Sequence, residues 1–253
     1  YRRQRQMCIR DSINAAMAHQ LNEFKAQIDR LVSDGMEQEE ALYKVLKETI
    51  IASQNIRFEG DGYSDEWKDE AARRGLTNIC HVPEAIMKFN DPQSRSVLIG
   101  EKIFNENELN CRIEVELEKF TKKVQIESRV LGDLAINHIV PTAVIYQNRL
   151  LENLRGLKEI FSTEEYEEMT ADRKDLVREI QRRILSIKKA VHDMTEARKV
   201  ANHLGSQVEK AFSYEEKVRP YLEEIREHID SLELEIDDEI WPLPKYRELL
   251  FTK

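Results

Sequence analysis

The chain has 253 residues, 34% of them charged and 41% hydrophobic, and a formal net charge of −9. That acidic balance excludes a nucleic-acid binder working through a basic footprint, and no apolar run approaches the roughly 20 residues of a membrane-spanning helix. Only 8 Gly and 6 Pro stand beside abundant Glu, Lys, Leu, Ile and Ala, a composition typical of long amphipathic helices.

The first twelve residues, Tyr1 to Ser12, carry four arginines against one acid and show no helical apolar stripe. They resemble translated sequencing-adaptor read-through, and the alternative is a natural basic arm. Without them the formal charge is −12 and the chain opens at Ile13 as a fragment of something longer. No continuous apolar h-region follows the arginines, so no secretory signal is read. The three cysteines, Cys8, Cys80 and Cys111, form no CxxC pair, and a reducing cytoplasm is the expected compartment.

From Ile13 the apolar residues Met17, Leu21, Phe24, Ile28 and Leu31 recur at helical steps, with Gly35 as the stop. A second helix carries Ala41, Leu42, Val45, Leu46 and Ile50 and runs out near Ile56. The stretch Phe58 to Tyr63 is glycine-dense and reads as a tight loop. Ser64 is the expected N-cap of a short helix that has Asp65 and Glu66 in its first turn and ends at Gly75 after Arg73 and Arg74. Residues 76 to 104 read as a connector with short helices, marked by Pro83, Pro92 and Gly100.

At Asn105 the architecture changes. Asn105 and Glu108 have capping-box spacing, and beyond them a stripe runs from Leu109 through Ile113, Leu117, Phe120 and Val124 towards Leu157. Between Val130 and Ile145 the apolar residues widen past one stripe, which predicts burial on more than one side. Pro141 should kink this helix. A second long helix is predicted from Leu176 to Ala211 and a third from Val218 to Ile236, both with alternating steps of three and four. Polar loops near Ser162-Thr163 and Ser213 should fold them back antiparallel. The predicted fold is all-α: a long antiparallel helical hairpin or bundle with shorter N-terminal helices. Its divisions are 1–12, a helical region with connector over 13–104, and a long-helix bundle over 105–253 with a docked C-terminal tail.

That tail, Ile240-Trp241-Pro242-Leu243-Pro244-Lys245-Tyr246-Arg247-Glu248-Leu249-Leu250-Phe251, is too apolar for a frayed terminus. It should dock, either on its own bundle or on another surface, with the prolines keeping it extended.

Chemistry-bearing patterns are sparse. Glu114, Glu116 and Glu118 spread around a helix axis and converge on nothing. Glu164, Glu165, Glu167 and Glu168 sit at a helix start, and Asp237-Asp238-Glu239 lacks the turn glycine of a cation loop. The six histidines include no i, i+4 pair; His138 reads as a core or interface residue, and Cys80-His81 has no third ligand in range. Gly60-Asp61-Gly62 lacks the Lys-Ser/Thr of a phosphate loop, and Tyr63 and Trp67 read as anchors that hold it down.

Three stretches together resemble a family. Phe58 to Trp67, continuing through Glu70 to Leu76, is similar to a loop-helix segment in the C-terminal part of type III glutamine synthetases. Ile139 to Gln147 resembles that family's proline-bearing central helix, and Ile240 to Phe251 its terminal signature. The resemblance spans essentially all of 13–253. It implies a parent enzyme that makes glutamine from glutamate, ammonia and ATP through a γ-glutamyl phosphate, with Mg or Mn cations neutralising the phosphoryl oxygens. It also implies self-association in a ring of stacked hexamers. Asn14-Ala15-Ala16-Met17-Ala18 resembles the helix just after the family's last catalytic strands, so the catalytic, cofactor-binding and metal residues are expected upstream, with none carried onto this sequence. Within the resemblance the tail wraps back onto the subunit, with Trp241 and Phe251 as anchors. A free-standing helical interaction protein remains the alternative that the heptads alone leave open.

Overall fold

The computed structural model describes residues 2–62, 64–245 and 248–250, with backbone alone over 2–11. The chain divides into two compact units between Glu116 and Leu117, and among the described residues there is no strand.

The first unit opens with α1 (Arg2–Ser33), which runs through Ser12 without a break, and α2 (Gln38–Ala52). Gly35, at φ 95°, closes α1 as anticipated: its amide donates to Val32 and that of Met36 to Leu31, at 3.0 and 3.1 Å. This is the paired closure that a left-handed residue permits. α3 (Asp65–Arg73) starts where Ser64 Oγ accepts the Trp67 amide at 3.2 Å and ends on Gly75, at φ 73°. α4 (Val82–Met87) and α5 (Pro92–Gly100) each take a proline in the first turn, where the missing N–H costs nothing. α5 closes in the same paired way, but the left-handed position is Lys102, at φ 56°. The capping box of α6 (Glu106–Leu134) is present in both directions, Glu108 N to Asn105 Oδ1 and Asn105 N to Glu108 Oε2, each 2.9 Å.

The core of this unit is thin, built from Ala15, Ala41, Val45, Ala71, Leu98, Leu109 and Ile113. Ile13, Met17 and Leu21 on α1 are each nearly 60% exposed, and Leu42, Leu46 and Ile50 on α2 are also exposed. Glu101 ties the end of α5 to α1 through His19 Nδ1 at 3.2 Å and Asn22 Nδ2 at 3.1 Å.

The second unit is built round α8 (Thr163–Asn202), which packs against α7 (Val140–Ile160) and α10 (Arg219–Glu235). α7 and α8 form the antiparallel hairpin across Phe161-Ser162, and Ser162 with Glu165 makes a second complete capping box. Ile180, Ile184, Ile187, Ala190, Met194 and Ala201 bury one stripe of α8 at three- and four-residue steps, against Ile139, Ala143, Ile225 and Leu232. Burying an Ile or Met side chain is worth about 1.5–3 kcal/mol, so this stripe is a large part of the unit's core.

Three expectations are corrected. The predicted long helix to Ala211 is interrupted: α8 ends at Asn202, His203 to Ser206 make the turn, and α9 (Gln207–Ser213) resumes the stripe. The loop placed at Ser213 is instead helix. Gly205 and Ser206 carry the break, and His203 Nδ1 lies 2.7 Å from the Lys199 carbonyl at the helix end. Second, Val130, Val144 and Ile145 are 52%, 39% and 52% exposed, so the widened stretch is not buried on more than one side of this chain. Third, His138 is exposed, which excludes the core alternative of its core-or-interface reading. Both follow from a wide π turn over Ala135–Ile139, which directs Ala135, Ile139, Val140 and Ala143 to the core and leaves the surplus apolar residues outside.

The π turn is how the helix accommodates Pro141. A proline lacks the N–H to continue the ladder and crowds the carbonyl four residues back. Here Val140 N bonds to Ala135 O, five residues away, and Thr142 Oγ1 donates to His138 O at 2.9 Å. A second π turn, Tyr214–Val218, joins α9 to α10 and lies at the same offset from Pro220 as the first from Pro141.

Candidate functional site

In the first unit, the loop before α3 is held by a small cluster. Phe58 stacks on Trp67 with ring centroids 4.2 Å apart and planes at 28°. The Arg74 guanidinium lies 5.9 and 5.7 Å from the two rings and donates from Nη1 to the Arg57 carbonyl at 2.8 Å. Glu70 accepts from Arg73 and Arg74 at 2.5–2.7 Å, and these bonds, Arg73's first, hold its carboxyl below the usual range. A Cβ at Gly60 would come within 2.4 Å of the Phe58 ring, so a side chain there displaces that ring. Trp67 is thus an anchor, as expected; Tyr63 lies outside the described residues. The sequence assigned Arg74 only a helix-dipole role, and its guanidinium in fact pins the loop.

In the second unit the tail folds back on α10. Asp237 O accepts the amides of Ile240 and Trp241, both at 3.1 Å, and Asp237 Oδ1 accepts that of Glu239 at 3.0 Å. Trp241 is 92% buried against the core, flanked by Ile240 and Leu243. Lys245 fastens the return: its Nζ donates to Glu233 O at 2.7 Å and Ile236 O at 3.0 Å and pairs with Asp238 at 2.5 Å. A cation there satisfies terminal carbonyls of α10 and opposes the negative end of its dipole. Docking on its own bundle is therefore what Trp241 does. Phe251 lies outside the described residues, and Leu249 and Leu250 are 67% and 81% exposed.

Between the first π turn, α10 and the tail lies a groove of about 350 Å³. Its apolar walls include Leu131, Leu134, Ile139, Trp241, Leu243 and Leu249. Arg226, Asp230 and Glu233 of α10 line it as well, with Arg226 Nε 3.3 Å from Asp230 Oδ2.

A polar network joins α6, α8 and the second π turn. Tyr214 is fully buried and donates to Asn202 Oδ1 at 2.8 Å, which also accepts from Gln125 at 3.2 Å. Burial raises the Tyr214 phenol above its ordinary pKa, partly offset by Arg198. The apolar rhythm that located the helices carried no sign of this group.

The remaining singled-out residues do not assemble. Glu118 pairs with Lys122 at 2.6 Å, Glu167 with Lys174 at 2.7 Å, and Glu165 is held below its ordinary pKa by Ser162 in the capping box. Cys80 is exposed and His81 precedes α4 as its N-cap. Among the described residues no three His, Cys, Asp or Glu come together to hold a metal ion, and no helix is long and apolar enough to cross a membrane.

Against known proteins, residues 41–158 match the glutamine synthetase C-terminal domain. Over 242 residues, 96% of its length, the chain is 74% identical to a glutamine synthetase of Bacteroides fragilis (strain YCH46) and covers 33% of that protein. The chain carries a glutamine synthetase C-terminal domain over residues 41–158. It is also 27% identical over 251 residues, 95% of its length, to the type-3 glutamine synthetase of Dictyostelium discoideum, again covering 33% of that protein. With a glutamine synthetase of Butyrivibrio fibrisolvens it shares 28% identity over 218 residues, 86% of this chain and 31% of the relative. The chain thus spans about a third of the length of the curated glutamine synthetases it matches. The matched domain contains the Phe58–Trp67–Arg74 cluster and the first π turn.

Proposed function

We propose that this chain is the helical C-terminal part of a type III glutamine synthetase, an ATP-dependent glutamate–ammonia ligase of the cytoplasm. The longer protein carries the ATP, the Mg or Mn ions and the catalytic residues, and this part acts structurally, supporting the catalytic body and its ring-shaped homo-oligomer. The supporting observation is the exposed apolar face of the first unit, where Ile13, Met17 and Leu21 follow one side of α1. A face of that kind marks a contact surface, and in this reading the rest of the synthetase subunit covers it.

Two measurements test the proposal. The purified 253-residue chain, assayed for γ-glutamyl transfer with Mn and nucleotide present, should show no turnover above background; measurable turnover refutes the structural role. Hydrogen exchange should find the α1 amides over 13–31 far less protected than those of α8, because little packs on α1 here. Equal protection would remove the argument from its open face.

A further inference from the structure

We propose that the groove beside the first π turn is a two-fold contact surface between copies of this chain, each inserting Leu250 into the groove of the other. The proposal names a surface for the self-association in the reading above and rests on that reading only for the premise that copies meet.

Three observations carry it. The groove is concave and apolar, walled by Leu131, Leu134, Ile139 and Leu243, while Leu250, beside the groove-lining Leu249, is 81% exposed. Knob and hole therefore occupy one patch, the self-complementary arrangement that a two-fold interface needs.

The second observation is charge. Arg226, Asp230 and Glu233 lie four and three residues apart, so they share one face of α10, and all three line the groove. When two such helices meet antiparallel across a two-fold axis, Arg226 of one faces Glu233 of the other, twice; the two Asp230 carboxylates then meet at the axis, each neutralised by its own Arg226 at 3.3 Å. A foreign acidic or basic segment would match only half of this mixed-sign rim.

The third observation is the way the groove is framed. The π turn sets Ile139 in its wall and Lys245 fixes the tail on the opposite side, so the cavity exists before any partner arrives. A preformed site loses less free energy to ordering on association.

The test is sedimentation equilibrium of the 253-residue chain and of Arg226→Glu, Glu233→Arg, the double exchange and Leu250→Asp, each checked for an unchanged thermal transition. We expect a reversible dimer. Each single charge reversal should weaken it about tenfold, and the double exchange should return it to within about threefold of the parent; Leu250→Asp should leave a monomer. A chain that stays monomeric throughout, including because its own C-terminus fills the groove, overturns the proposal. So does association indifferent to these variants, or a double exchange that restores nothing. None of these outcomes bears on the transferase assay, so the two readings fail separately.

Discussion

Replacing Lys245 by Met would remove the fastening of the tail while keeping its apolar stem. Nζ makes two hydrogen bonds to terminal carbonyls of α10, at 2.7 and 3.0 Å, from a side chain only 13% exposed. A hydrogen bond to a charged group is worth about 1.5–3 kcal/mol. Water can reach a helix end and replace part of each, so about 1 kcal/mol apiece is the better figure here. The pair with Asp238, whose side chain is 40% exposed, adds at most about 1 kcal/mol. The sum is about 2–3 kcal/mol of the second unit's stability. Urea unfolding in a Trp67→Phe background makes Trp241 the reporter, since the chain has two tryptophans. The Lys245→Met midpoint should fall with an unchanged slope, and native Trp241 emission should become easier to quench. A loss below about 0.5 kcal/mol, the level of an ordinary surface change, with unaltered quenching would show that the tail is held by Trp241 burial alone.

Other expectations follow from single residues. Tyr214→Phe should cost about 1 kcal/mol at neutral pH, the net worth of a buried hydrogen bond. The parent, whose phenol is held protonated by burial, should lose stability as pH rises above about 10, where the unfolded tyrosine ionises first; Tyr214→Phe should flatten that alkaline limb in a thermal series. Glu165, lowered by its bonds from Ser162, contributes stability that is present above its unfolded pKa and lost as pH falls through the folded one. Glu165→Gln should therefore make the acid decline below about pH 4.5 shallower, and an unchanged slope would show the capping carboxylate to be inert. Gly60→Ala should drive the Phe58 ring off Trp67 and forfeit a stacking contact of about 0.5–1.5 kcal/mol, visible as a changed Trp67 emission in a Trp241→Phe background.

Local chemistry was legible in the sequence. Gly35 and Gly75 end their helices because only a left-handed residue closes them without strain, and Ser64 and the Asn105–Glu108 pair satisfy amides within three residues of themselves. Register was not legible. Leu204, Val208 and Ala211 keep the apolar rhythm across the turn at His203 to Ser206, so periodicity alone could not place the break. The extra residue of a π turn shifts the stripe by less than a run rich in Val, Ile and Ala reveals, which is why Val130 to Ile145 read as doubly buried. Pro220, six residues after the start of the second π turn as Pro141 is after the first, was the available signal. Lys245 joins a carbonyl 12 residues earlier through a fold-back that no spacing rule encodes.

The two π turns also decide where the chain can change length. Removing one residue from an α-helix rotates everything beyond it by about 100° and turns a buried stripe outward. Removing one from Ala135–Ile139 or Tyr214–Val218, with Pro141 or Pro220 replaced as well, would instead convert a π turn to ordinary helix and leave both flanks facing as they do now. A relative one residue shorter at either place, and without the proline that follows, could keep the same core.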